Sequence, residues 1–210
     1  MMSDEVEPNP IPRDRMQRPL IIPPGGGKPV AYTRVSTFAK ALSDNDALSQ
    51  WKRKMIVEGV LANPGLLQDL MHAASCASPA TRPDLINRYI EAFHDAGGGN
   101  VGSKWGTALH GLTEFVDADG WVPEQGTIPA DLFDALHRYI ALVRDIEMIA
   151  CEGFVVVDEI KAAGSYDRIM LLPDGRLVIG DIKTGPKIHS NVAETQIQLA
   201  CYARGVHYAP

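Results

Sequence analysis

The chain predicts an α/β fold, a mixed central sheet flanked by helices, with a further helical region ahead of it. Three observations predict this. Apolar residues recur at helical spacing through most of the first 150 positions, short runs rich in Val, Ile and Leu follow, and Pro173-Asp174-Gly175 separates two of those runs as a turn. Three regions result: a flexible arm over 1–30, a helical N-terminal region over 31–100 and an α/β core over 101–210.

In chain order, the arm holds Pro8, Pro10, Pro12, Pro19, Pro23, Pro24 and Gly25-Gly26-Gly27, which oppose regular structure. Arg13, Arg15 and Arg18 make it locally basic, either to touch nucleic acid or a partner or simply as a solubilising tail. Ser36 or Thr37 can cap a helix from Phe38 to Leu42, and Asn45 or Asp46 can cap one through Leu48, Trp51, Met55 and Val60. Lys52, Arg53 and Lys54 on the latter form a solvated face or a phosphate-facing patch. Further helices are predicted at Leu66–Ala74, Pro83–Ala96 and Pro129–Ile149, and one after Gly102 whose stripe of Trp105, Ala108, Leu109, Leu112, Phe115 and Val116 is expected to face the core. The strands are expected at Cys151–Val157, Gly164–Leu172 and Arg176–Gly180, the last two paired as a hairpin. A final helix from about Asn191 is expected to carry Val192, Leu199, Ala200, Ala203 and Val206 inward.

The formal charge of −6 over 210 residues argues against a protein that coats nucleic acid through a basic surface. Three widely spaced cysteines suggest reduced thiols, the longest apolar run is too short for a bilayer, and Met1–Pro24 lacks the apolar centre of a signal peptide. A cytoplasmic location without membrane contact is expected.

The chemistry concentrates at Asp167 and at Asp181-Ile182-Lys183. Side chains alternate along a strand, so Leu177, Ile179, Asp181 and Lys183 share one face whose apolar run ends in charge. The hairpin sets Asp167, at the start of one strand, opposite Asp181, near the end of the next. Two carboxylates held together repel unless a cation lies between them, and hard oxygen donors suit Mg²⁺ or Mn²⁺. The plainer reading of Asp181 and Lys183 is a solvated strand end with a weak ion pair. Three other features bear on the choice. Gln198 and Tyr202 lie one helical turn apart on a shared face, which is either a polar surface or part of the site. His110 points away from the expected stripe of its helix, toward solvent or a cleft, with Glu114 one turn beyond. Glu152 stands in an apolar strand, where a salt bridge and a place in the site are equally credible.

Gly106 with His110, Glu152, Gly164 with Asp167, Asp181-x-Lys183 before Thr184-Gly185, and Gln198 with Tyr202 occur in the order found in the PD-(D/E)xK nuclease superfamily. Together they resemble its RecB-like exonuclease branch, over roughly residues 101–207. Thr33–Thr37 and Leu48–Trp51 are more loosely similar to the N-terminal part of phage-encoded members. The resemblance implies a restriction-endonuclease-like core and metal-dependent hydrolysis of DNA phosphodiesters, with an exonuclease preferred because the His and Gln-x-x-x-Tyr features accompany that branch. It implies that Asp167 and Asp181 ligate the metal with the Ile182 carbonyl and His110, that Lys183 serves the attacking water, and that Gln198 and Tyr202 position the strand or the lysine. Lys187 and His189 would touch phosphates or remain solvated. Some members of the branch bind an iron-sulfur cluster through four cysteines; Cys76, Cys151 and Cys201 lack that number and spacing, so no cluster is expected. The alternatives are an endonuclease using the same residues, or a non-catalytic DNA-binding or assembly module. DNA is the expected partner, with a recombination or replication protein beside it in a bacterial or phage-infected cell.

Overall fold

The computed structural model describes residues 11–42, 46–185 and 192–208. Asn45, Lys187, His189 and Asn191 lie outside them. The chain divides into two compact units, one formed by residues 1–43 and 110–210, the other by 44–109.

The second unit is helical. α2 (Asp46–Ala62), α3 (Pro64–Cys76) and α4 (Arg82–Ala96) follow each other with short connections, and α5 (Val101–Asp119) begins here and runs on past the division. Local sequence explains the starts. Asn63 caps α3, its side chain accepting from Leu66 N at 3.3 Å, and Pro64 stands where a missing N–H costs nothing. α2 and α4 touch through backbone: a Cβ on Gly59 would lie 1.8 Å from the Phe93 carbonyl oxygen. Beside this contact, Phe93 and His94 are buried, and Trp51 meets the His94 ring edge-on with centroids 5.6 Å apart.

The first unit holds the sheet. Its helices are α1 (Val35–Ala39), α6 (Ala130–Val143), α7 (Val192–Arg204) and the second half of α5. A four-stranded mixed sheet has the order β3 (Thr33–Arg34), β6 (Ala162–Ser165), β5 (Phe154–Val157), β9 (Val206–His207), with β3 parallel to β6 and the other pairs antiparallel. A three-stranded antiparallel sheet has the order β4 (Glu147–Cys151), β7 (Arg168–Leu171), β8 (Leu177–Gly180). β7 and β8 form the expected hairpin around Pro173-Asp174-Gly175. Both faces of β5 are covered, as its run of Val demands. Val155 and Val157 pack with Val35, Tyr166, Cys201 and Tyr202, while Val156 packs with Ile21, Tyr32 and Ala163. Each buried Val or Ile among them contributes about 1.5–3 kcal/mol.

Several expectations need correction. Residues 11–31 are not an irregular arm throughout: β1 (Leu20–Ile21) pairs with β2 (Val30–Ala31), and Ile21 is buried because β5 needs its second face covered. Val35 begins α1 without a side-chain cap from Ser36 or Thr37. α6 stops at Val143, well short of Ile149, because Glu147–Cys151 is taken into the ladder with β7. Gly164–Leu172 is two strand segments bent at Tyr166-Asp167, shared between the two sheets. α7 turns Gln198, Cys201 and Tyr202 inward and leaves Val192, Ala200 and Ala203 exposed, while Val206 belongs to β9. On α5, Phe115 is 56% exposed whereas Thr113 is fully buried.

Gly59→Ala is expected to destabilise the helical unit by about 1–3 kcal/mol or more, since two backbones must part to admit one methyl group. Urea unfolding followed by circular dichroism reads the loss.

Candidate active site

The site is set by a bend common to two paired strands. Cys151 pairs with Arg168 in one sheet and Phe154 with Ser165 in the other. Between them the ladder continues irregularly, with Glu152 N donating to the Asp167 carbonyl and Tyr166 N to the Gly153 carbonyl, each at 2.9 Å. Glu152 takes a left-handed conformation at φ 53°, which costs on the order of 1–3 kcal/mol in a residue with a side chain. Gly153 cannot be replaced cheaply, because a Cβ there would lie 2.0 Å from the Tyr166 hydroxyl. The bend aims Glu152 and Asp167 at α5, as irregularities in paired strands commonly re-aim side chains.

There His110 meets them. His110 Nε2 lies 2.8 Å from Glu152 Oε1 and 3.9 Å from Asp167 Oδ1, and one ligand atom from each residue falls within a 4.8 Å group. The second Asp167 oxygen accepts from Ile182 N at 2.7 Å, tying the bend to the segment after β8. Arg168 and Gly180 are paired, so Asp167 directly precedes one strand of the hairpin and Asp181 directly follows the other. Asp181 has a side chain only 3% exposed. Its Oδ1 accepts from Gln198 Nε2 at 3.2 Å, and that nitrogen also donates to the Tyr202 hydroxyl at 3.0 Å. Its Oδ2 lies 2.6 Å from Lys183 Nζ, a close ion pair, yet makes no aligned hydrogen bond among the described residues. Burial pushes the Asp181 carboxyl above its ordinary value of 3.8, Lys183 pulls it down, and the charge of Asp167 adds to the rise. Burial likewise raises the Tyr202 phenol.

The structure thus gathers His110, Glu152 and Asp167 in one group and Asp181, Lys183, Gln198 and Tyr202 in a second, with Ile182 N joining Asp167 to the latter. Glu114, half-buried one turn beyond His110, is outside the three-residue group. The donor set fits a hard divalent cation: an imidazole nitrogen and carboxylate oxygens converge, and among the described residues the buried Asp181 Oδ2 has Lys183 alone beside it.

A model of the PD-(D/E)XK nuclease superfamily matches residues 99–208, more than half of the chain. The chain belongs to the PD-(D/E)XK nuclease superfamily. Its mixed α/β architecture is consistent with the restriction-endonuclease-like fold, and its acidic group with the divalent metals such nucleases use. Neither curated proteins nor solved structures give a match. No helix among the described residues is long and apolar enough to cross a membrane.

Sequence reading passed over a layer beneath the site. Arg168 is 1% exposed, and its Nε donates to Asp117, itself 2% exposed. Tyr139 on α6 donates its hydroxyl to the same Asp117 oxygen. A guanidinium opening the apolar segment Ile169-Met170-Leu171 was the available signal, because a buried cation demands a buried anion.

Because the folded chain raises the Asp181 pKa, it binds that proton more tightly than the unfolded chain does. The stability contributed is therefore present below the ordinary value of 3.8 and is lost as pH rises through the higher folded value. In chelator, Asp181→Asn is expected to melt above the native chain at pH 7, the gap closing toward pH 4. A scan of melting temperature against pH checks this.

Proposed function

We propose that this chain is a Mg²⁺- or Mn²⁺-dependent deoxyribonuclease that acts as an exonuclease of the RecB-like kind. The observation that carries the proposal is the burial of Asp181 between Lys183 and Gln198, beside the convergent His110, Glu152 and Asp167. A surface ion pair has no physical need of that burial, whereas a metal ligand beside a lysine does.

In this reading Asp167, Asp181 and His110 would hold the cation with the Ile182 carbonyl, and Glu152 would be a further donor. When bound, the cation lowers the pKa of a coordinated water and neutralises charge on the scissile phosphate. Lys183, 42% exposed and so within reach of substrate, would orient the attacking water and offset the negative charge that builds on the phosphate. Gln198 fixes Asp181 and Tyr202 together, which holds the carboxylate in one rotamer. Exonuclease action is favoured by the joint presence of His110 and the Gln198/Tyr202 pair, features of that branch. Recombination, repair or phage genome processing in the cytoplasm of a bacterial or infected cell is the setting proposed, with DNA as substrate.

The test is degradation of end-labelled linear duplex and single-stranded DNA, with a covalently closed circle alongside, in Mg²⁺, Mn²⁺ or chelator. Linear DNA is expected to be shortened from its ends in metal alone, with the circle spared. Lys183→Ala and Asp181→Ala are each expected to lose roughly a hundredfold or more in rate. Cutting of the circle would make the chain an endonuclease. Full activity of Lys183→Ala would remove the lysine from the chemistry.

A further inference from the structure

Arg168 is a buried cation directly beneath an acidic site that must attract another cation, an arrangement with an electrostatic cost unless the arginine is neutralised elsewhere. Asp117 does this: it is 2% exposed and accepts from Arg168 Nε, while Tyr139 donates to the same carboxylate oxygen. With its charge matched from below, the other arm of the guanidinium points upward. Nη1 donates to the Asp167 carbonyl at 2.8 Å and lies 3.4 Å from Glu152 Oε1. Nη2 lies 3.4 Å from the buried Thr113 hydroxyl, which donates to the His110 carbonyl one turn back at 2.7 Å. One planar group therefore reaches the backbone or side chain of Glu152 and Asp167 and, through Thr113, the helix turn that carries His110.

We infer that Arg168, neutralised by Asp117 and Tyr139, is a positioning residue that holds Glu152, Asp167 and His110 in a cation-ready arrangement. This rests on the proposed metal site and adds to it the layer that fixes its donors. The guanidinium suits the task because its fork is planar and rigid and remains charged, whereas an ammonium is a single point of charge. Asp117 also removes the repulsion that an unmatched arginine would exert on a metal ion. Groups behind metal ligands commonly govern affinity in this way, by about 10–100-fold.

The experiment is calorimetric titration of the full chain with Mn²⁺, each variant first checked for its melting transition in chelator. Arg168→Lys keeps a cation for Asp117 but loses the fork, and it is expected to bind Mn²⁺ about 10–100-fold more weakly, with DNA cleavage recovering as Mn²⁺ is raised. A folded Arg168→Lys that binds Mn²⁺ as tightly as the native chain overturns the inference and leaves the metal site standing. Should Arg168→Lys fail to fold, Tyr139→Phe decides: it deletes one hydroxyl that bonds Asp117 and is not itself a metal donor, and weaker Mn²⁺ binding supports the inference while unchanged binding overturns it. A native chain that takes up no Mn²⁺ overturns the metal site and this inference together.

Discussion

The bend at which two paired strands pass from one sheet to the other is the constraint on which the rest of the site depends. A straight ladder would continue the alternation of side chains, and Glu152 and Asp167 would then point to whichever face their parity assigned. At Glu152-Gly153 and Tyr166-Asp167 that alternation is broken on both strands at once, with two backbone hydrogen bonds keeping the ribbon joined. Both carboxylates consequently turn toward His110. The positive φ of Glu152 and the closeness of Gly153 to Tyr166 are the local costs, offset by the apolar packing of Tyr166 with Val155 and Val157 on the adjoining sheet and with Tyr202 on α7.

Charge follows from that geometry. Carboxylates brought together in a partly buried cleft raise one another's energy, and the structure answers with cations of two kinds. Lys183 meets Asp181 from the more exposed side. Arg168 comes from the interior side, where burial and Asp117 fix it. The two cations thus differ in exposure: the Lys183 side chain is partly exposed, whereas that of Arg168 is closed off from solvent. Burial shapes Asp181 similarly: it raises the carboxyl's pKa despite Lys183, so the fold holds this group in its charged form at a cost that a metal ion would relieve.

How much of this could be read from the chain differs by element. The hairpin of β7 and β8 was legible because Pro173-Asp174-Gly175 is local turn chemistry, acting over a few residues. The helices at Pro64 and Arg82 were legible for the same reason. α6 was overextended because its apolar period runs on into Ile146 and Ile149, and only the distant β7 captures those last residues as strand. The inward face of α7 was misjudged by counting apolar residues. Gln198 is buried where it donates to Asp181, seventeen residues away, and Tyr202 where it accepts from Gln198 and packs with Val155 and Val157; neither reason has a signature in local hydropathy.

The same distinction governs the site. Asp167, Asp181 and Lys183 could be singled out from sequence because a hairpin brings them together through one turn. Arg168, Asp117 and Tyr139 could not, since they join a strand and two helices through partners separated by 22 and 51 residues, and no turn specifies that meeting. What could have been said from sequence is narrower. An arginine immediately after a site aspartate, opening a strand that the sheet buries, must either reach solvent or find an acid. Asp117 lies on the buried side of α5, one turn from Thr113, where an unpaired carboxylate would cost several kcal/mol. Each residue is thus explained by the other, and the carboxylates above them rest on a layer that is hydrogen-bonded and close to electrically neutral.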